Sequence, residues 1–137
     1  MKRAVVGFIA GFLAWIVVVS LIDRMLRLVL AGYAAAEPLL TFTLGMMAAR
    51  LGMAAVTSVL AGAALGAVAP ANKRTPWVLG VVLVAIFIPM HIRVWHSFPL
   101  WYHLTFLLTL APLIALGAWL TNRKWTNGPT SQVVTSS

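Results

Sequence analysis

The chain has 137 residues, of which 62% are hydrophobic and 9% are charged; its net charge is +8 and its mean hydropathy is +0.99. A soluble domain normally carries about 25% charged residues, so this composition excludes a water-soluble globular domain and predicts an integral membrane protein in the lipid bilayer. The basic residues lie in ones and twos at the ends of apolar segments, which argues against nucleic acid as a partner, and the absence of cysteine excludes disulfides and cysteine-ligated metals.

The first apolar segment follows the basic pair Lys2-Arg3 and runs without a charge over residues 4–22. A transmembrane helix needs about 20 such residues, and we predict a span at about 4–30. The basic start also resembles a secretory signal, with a small-residue cleavage site at 34–36. We expect no cleavage, because the run is longer than the roughly 7–15 residues of a signal core and charged residues separate it from that site.

The end of the first span carries Asp23 and Arg27, which are four residues apart and therefore adjacent on a helix surface. We expect an ion pair there, followed by the first external loop. Pro38 suits the first turn of a helix, where its missing N–H has no partner to lose, so the second helix can begin there. Its membrane span is predicted at about 45–69, with Arg50 at the outer boundary.

The third and fourth spans are predicted at about 76–96 and 99–121, and a tight turn joins them. A short basic loop at 71–75 precedes the third span. Residues 122–137 are polar and rich in Ser and Thr, which predicts a disordered cytoplasmic tail.

The distribution of lysine and arginine between the loops predicts the orientation of the four spans. The basic residues on one side are Lys2, Arg3, Lys73, Arg74, Arg123 and Lys124, whereas the loops of the other side contain none. We therefore predict an all-α fold, an antiparallel four-helix transmembrane bundle with both termini cytoplasmic.

Small residues recur at helical spacing in the first two spans. They are Gly7, Gly11, Ser58, Gly62 and Gly66. Small side chains let helix backbones approach closely, which drives helix association in lipid. Two interpretations stay open, namely close packing within one bundle and a homodimer face.

Polar side chains collect near the outer ends of the spans. They are Asp23, Arg27, Glu37, Arg50, His91, Arg93 and His103. One interpretation is that the arginines only extend to the lipid headgroups. The other is an outward-facing cleft in which Arg50 and Arg93 bind an anionic group, such as a lipid phosphate or a partner's carboxylate.

His91 and His103 lie six residues before and six residues after Ser97, so a hairpin places them at the same depth on neighbouring helices. Two imidazoles are suitable ligands for haem iron or another metal, but no carboxylate lies nearby in sequence to complete a metal site. We expect interfacial histidines with neither metal nor cofactor, and keep haem as the alternative. No phosphate-binding loop, zinc-protease motif or nucleophile elbow occurs, so no catalytic residue is assigned.

Two short segments, GYAAAEP at 32–38 and FPLWYHLTF at 98–106, stand in this four-span frame. In them the chain resembles small four-span bacterial integral membrane proteins that are usually described as hypothetical. The resemblance covers most of residues 1–121. It implies a multi-pass protein of the bacterial cytoplasmic (inner) membrane and implies no activity.

We expect a non-enzymatic membrane protein, a structural or accessory subunit that interacts with another membrane protein or with a second copy of itself. A small-solute transporter is one alternative, and it predicts a water-filled path that reaches past Trp15. A haem- or quinone-associated anchor subunit is the other.

Overall fold

The computed structural model describes residues 1–69 and 72–126, with side chains up to Arg123. Within these ranges the chain forms five helices and no strand: α1 Lys2–Val29, α2 Tyr33–Leu39, α3 Leu44–Val68, α4 Thr75–Arg93 and α5 Leu100–Thr126. Four of them, α1, α3, α4 and α5, are long and apolar enough to cross a membrane. The predicted all-α class with four membrane-length helices is confirmed.

Two helix ends differ from the predicted spans. Helix α5 continues to Thr126, so the first residues of the predicted disordered tail are helical. The chain has no glycine or proline between Gly117 and Gly128 that would end the helix earlier. The rest of that tail, 127–137, lies outside the described residues. Helix α4 ends at Arg93 and not near 96; the chain then turns ahead of Pro99, since proline disfavours helical backbone in the residue before it.

The loop predicted before the second span contains a separate short helix, α2. Gly32 adopts a φ of 78°, a left-handed conformation that glycine enters without a steric cost, and this separates α2 from α1. Pro38 lies near the end of α2, and Leu40 closes that helix with a φ of 54°. Helix α3 then begins anew, where the Thr43 hydroxyl accepts a hydrogen bond from the Met46 N–H at 3.3 Å.

Apolar side chains from all four long helices fill the middle of the bundle. They are Trp15, Ala61, Leu65, Leu79, Leu83, Leu110 and Ile114. The Trp15 indole N–H donates to the Ser58 hydroxyl at 3.4 Å, which in turn donates to the Ala54 carbonyl at 2.7 Å. The indole ring also packs against Phe87, with ring centroids 5.1 Å apart. The polar atom of this large side chain therefore has a partner inside the bundle.

Helix α1 packs on α3 through two glycines. A Cβ at Gly7 would lie 2.7 Å from the Ala69 Cβ, and a Cβ at Gly11 would lie 3.1 Å from the Ala61 carbonyl oxygen. The start of α1 therefore lies beside the end of α3. Such close approach of backbones strengthens van der Waals contact between helices in lipid.

Helices α3 and α5 come even closer to each other. Gly62 faces the Ile114 carbonyl and Gly66 faces the Ala118 carbonyl, and neither contact leaves room for a Cβ. The residue numbers of the contacting pairs increase together along the two helices, so α3 and α5 run in the same direction. Helix α4 packs beside them against α5.

The two ends of the bundle differ in chemistry. The basic end holds the start of α1 and the loop before α4, with Arg3, Lys73 and Arg74. The hairpin end holds α2 and the turn at 94–99, and every polar side chain of the predicted outer cluster lies in this half.

Candidate binding site at Arg50

A surface ion network joins the end of α1 to α2. One guanidinium nitrogen of Arg27 lies 2.9 Å from an Asp23 carboxylate oxygen and 3.0 Å from a Glu37 carboxylate oxygen. These are the two acidic side chains of the whole chain. The Arg27 side chain is 48% exposed, and ion pairs in such positions contribute only about 0–1 kcal/mol each. The main consequence of the network is that both acidic side chains are paired with Arg27 and not with another cation.

Arg50, in the second turn of α3, is half-buried and is held by neutral groups. Its Nη1 donates to the Tyr33 hydroxyl at 2.8 Å, and its Nε donates to the Tyr102 hydroxyl at 3.3 Å. Its guanidinium carbon also lies 4.8 Å from the Phe42 ring centroid, within cation–π range. Among the described residues, no carboxylate lies within ion-pair distance of Arg50.

Tyr33 is fully buried at the start of α2, directly after the glycine that turns the chain. Burial raises the pKa of the Tyr33 phenol above its ordinary value of 10.0, although the neighbouring Arg50 guanidinium acts in the opposite direction. The phenol is therefore protonated and neutral at pH 7. It supplies a hydrogen-bond acceptor to Arg50 but no compensating negative charge.

The two predicted histidines meet in the interior. The Nδ1 atoms of His91 and His103 are 2.7 Å apart, and both rings are buried. At that distance one Nδ1 carries the proton and the other accepts it. Trp95 stacks on His103 at a centroid distance of 4.8 Å, and Phe106 lies 4.8 Å from His91. Aromatic rings thus enclose an imidazole pair.

A cavity of about 160 Å³, here called the Arg50 cavity, opens beside these groups. Its polar lining is Arg50, His91 and Tyr102, from three different helices. The remaining lining residues are apolar or aromatic: Leu40, Phe87, Met90, Val94, Phe98 and Phe106. A dry cavity of about 150 Å³ is known to hold a benzene ring, so the Arg50 cavity has room for one small ring or one anionic group.

The predicted outer cluster is divided into separate groups. Asp23, Arg27 and Glu37 form the surface network, while Arg50, His91 and His103 lie in and behind the Arg50 cavity. Arg93 belongs to neither group, because it is exposed in the last residue of α4. Arg93 does not line the Arg50 cavity, and its sharing a site with Arg50 stays a prediction.

Sequence reasoning missed the two tyrosines that hold Arg50. Tyr33 and Tyr102 occur at predicted span ends, where aromatic residues commonly anchor a helix at the lipid headgroups. Both are buried instead.

The predicted packing residues all lie inside the described bundle. Gly7, Gly11, Ser58, Gly62 and Gly66 are each buried. Their neighbours belong to the same chain.

Among the described residues, no group of three or more His, Asp or Glu side chains is placed so that it could hold a metal ion.

Comparisons with protein-family models, with curated proteins and with solved structures found no match for this chain. The resemblance to small four-span bacterial membrane proteins stays a prediction.

Proposed function

We propose that this chain is a multi-pass protein of the bacterial cytoplasmic membrane, an antiparallel four-helix bundle with both termini in the cytoplasm. The contact of the α1 start with the α3 end supports alternating crossings, and so does the common direction of α3 and α5. The basic end supports the orientation, because lysine and arginine in loops favour the cytoplasmic side. Reporter tags at residue 97 and at the carboxyl terminus should report opposite compartments; the same compartment for both would contradict the proposal.

Within that frame, the protein acts as a non-enzymatic accessory or interaction subunit that binds an anionic group at Arg50. A single observation carries this function: a half-buried guanidinium lines a cavity, and only neutral groups hold it. Both acids of the chain are engaged elsewhere by Arg27. A carboxylate or phosphate in the cavity would supply the missing negative charge.

Burying an unpaired charge such as that of Arg50 costs free energy. Two hydrogen bonds and a cation–π contact of about 0.5–2 kcal/mol offset part of the desolvation of Arg50. A charged group without a counter-ion in a low-dielectric site remains unfavourable. An arginine that merely extends to the headgroups would point its guanidinium into solvent, as the exposed Arg93 does. The enclosed position of Arg50 favours a binding role.

The ligand that fits is an anion attached to an apolar body, because six of the nine residues lining the cavity are apolar or aromatic. Decyl phosphate and decanoate are suitable probes, titrated into the protein in a neutral maltoside detergent and followed by tryptophan fluorescence. We expect both to bind the unmodified protein. Arg50→Gln should weaken both at least about tenfold, since a hydrogen bond to a charged group contributes about 1.5–3 kcal/mol.

Arg93→Gln is the matched control, because it removes the same charge from the same end of the bundle outside the cavity. Its affinity for both probes should stay within about twofold of the unmodified protein. Equal affinity of Arg50→Gln and unmodified protein would overturn the proposed site. Equal weakening by both substitutions would do the same, since it would indicate general attraction of anions to the surface.

A quinone headgroup is a second candidate ligand, and the lining of the cavity favours it. Arg50, His91 and Tyr102 offer three polar groups around a slot walled by aromatic rings, which suits the carbonyl oxygens of a flat ring. A quinone is neutral, so binding of decylubiquinone should survive Arg50→Gln and fall with His91→Phe. The reverse pattern favours the anion.

The haem alternative requires a different geometry of the histidines. One iron held by both imidazoles would take a ring nitrogen from each, so those two nitrogens could not be hydrogen-bonded to each other. The Nδ1 atoms of His91 and His103 are in direct contact at 2.7 Å. A Soret band in the purified protein that disappears in His103→Ala would establish haem in spite of this contact.

A further inference from the structure

A second cavity lies at the basic end, far from Arg50. It has a volume of about 480 Å³ and is lined by Arg3, Lys73 and Arg74, with Ala69 and Asn72 among its other walls. Ligand sites commonly measure about 300–1,000 Å³. Three cationic side chains from α1 and from the loop before α4 therefore converge on a space of ligand size.

The loop that supplies two of these cations is held in place by its own hydrogen bonds. The Asn72 side-chain oxygen accepts from the Arg74 N–H at 3.0 Å and from the Thr75 N–H at 3.1 Å. An asparagine that bonds the backbone two and three residues on stabilises a turn and satisfies donors at a helix start. These hydrogen bonds stabilise the backbone that carries Lys73 and Arg74.

An apolar groove continues from this cavity along the surface between α1 and α4. It has a volume of about 310 Å³ and shares Ala4, Asn72 and Arg74 with the basic cavity. Further along, its walls are Val5, Phe8 and Val78. A cationic pocket and an apolar channel therefore form one continuous depression.

Neither acidic side chain of the chain pairs with the cations at this end. The chain contains two acidic side chains, and both pair with Arg27 at the hairpin end. The positive-inside rule accounts for the sign of the charges here. It does not require that they line a cavity, nor that an apolar groove leads out of that cavity.

We propose that the basic end binds an anionic phospholipid, with the headgroup phosphate among Arg3, Lys73 and Arg74 and one acyl chain in the α1–α4 groove. Arginine suits this ligand because its planar guanidinium makes paired hydrogen bonds to phosphate oxygens. A free phosphate would use the basic cavity alone, and the contiguous groove identifies the lipid. The site is independent of the Arg50 cavity and shares with it only the membrane setting.

Native mass spectrometry in a neutral detergent tests the headgroup part of the site. Dioleoyl phosphatidylglycerol should bind at least tenfold more tightly than dioleoyl phosphatidylcholine. The double variant Arg3→Gln/Arg74→Gln should lose most of this preference. Lys2→Gln is the matched control, because Lys2 is an exposed cation of the same helix end that does not line the cavity, and it should keep affinity within twofold.

The groove is tested with a bulky substitution that leaves the charges intact. Val78→Trp fills the groove and should weaken phosphatidylglycerol binding about tenfold, whereas Val81→Trp, at an exposed position of the same helix outside the groove, should not. Binding of soluble glycerophosphoglycerol as tight as that of the lipid would overturn the proposal in favour of a free phosphate ligand. Equal losses in Lys2→Gln and the double variant, or unchanged binding in Val78→Trp, would also overturn it.

Discussion

Arg50 and Arg93 show how far one residue type can differ in its surroundings at the same end of a bundle. Arg50 has two phenol partners and the Phe42 ring, while Arg93 is exposed in the last turn of α4. Sequence alone placed both at the same depth. It could not distinguish them, because the direction of a side chain depends on helix rotation, which packing against neighbouring helices decides.

The sequence predicted the contact between His91 and His103 better than it predicted the surroundings of Arg50. Their equal spacing from Ser97 indicated matching depth on neighbouring helices, and the two rings do meet. The tyrosine partners of Arg50 could not be predicted in this way, because Tyr33 reaches α3 only through the turn at Gly32. That turn depends on one backbone conformation, a φ of 78°, which the sequence permits and does not dictate.

At the residue scale, we predict a strong coupling between Tyr33 and Arg50. Tyr33→Phe removes the acceptor of the 2.8 Å hydrogen bond and leaves a guanidinium donor unsatisfied, which should lower the free energy of unfolding by about 1–3 kcal/mol. In an Arg50→Met background the same change should cost much less. Unfolding in mixed micelles, measured for all four proteins, gives the coupling energy. Equal costs in both backgrounds would contradict the described contact.

At the element scale, hydropathy predicted the four long helices well, because each is a run of apolar residues of about membrane thickness. It did not predict α2, whose seven residues are too few to produce a span signal. It also missed the last turn of α5, where polar residues continue a helix beyond its apolar part. Both failures have one cause: the hydropathy of a segment reports its solvent and not its backbone conformation.

The packing of α3 against α5 leads to a matched pair of glycine substitutions. Gly62→Ala should destabilise the bundle by at least about 1–3 kcal/mol, because the added Cβ overlaps the Ile114 carbonyl oxygen. Gly52→Ala, in the same helix, meets nothing within 4 Å and should be neutral or up to about 1 kcal/mol stabilising, since alanine favours a helix. The two variants are compared by measuring their unfolding midpoints in detergent.

A loss of stability in Gly52→Ala as large as that in Gly62→Ala would show that α3 does not face α5 as described. Retention of stability in Gly62→Ala would have the same meaning. Both substitutions add one methyl group to one helix, so differences in helix propensity cancel between them.

At the scale of the whole molecule, the core closes the path between the two ends. Trp15 and Ser58 are bonded to each other, and Leu65, Leu83 and Ile114 pack around them. A transporter needs water to reach past this layer in at least one conformation. The proposed binding roles leave this layer closed, whereas passage of a solute would require it to open.

The absence of cysteine from the chain makes this closure directly measurable. A single cysteine at Ser97, in the exposed turn, should react rapidly with a membrane-impermeant maleimide. A single cysteine at Ser58, which is fully buried, should react at least a hundredfold more slowly. Comparable rates at both positions would indicate a water-filled path and would favour the transporter alternative.

The common direction of α3 and α5 has a consequence for biogenesis. Two helices that cross a membrane in the same direction cannot follow each other directly in the sequence. All of α4 is therefore synthesised between α3 and α5. The glycine surface of α3 around Gly62 and Gly66 therefore lacks its α5 partner until α5 has been synthesised. The contact between α3 and α5 therefore forms only after α5 has been made, and a nascent chain released earlier would lack it.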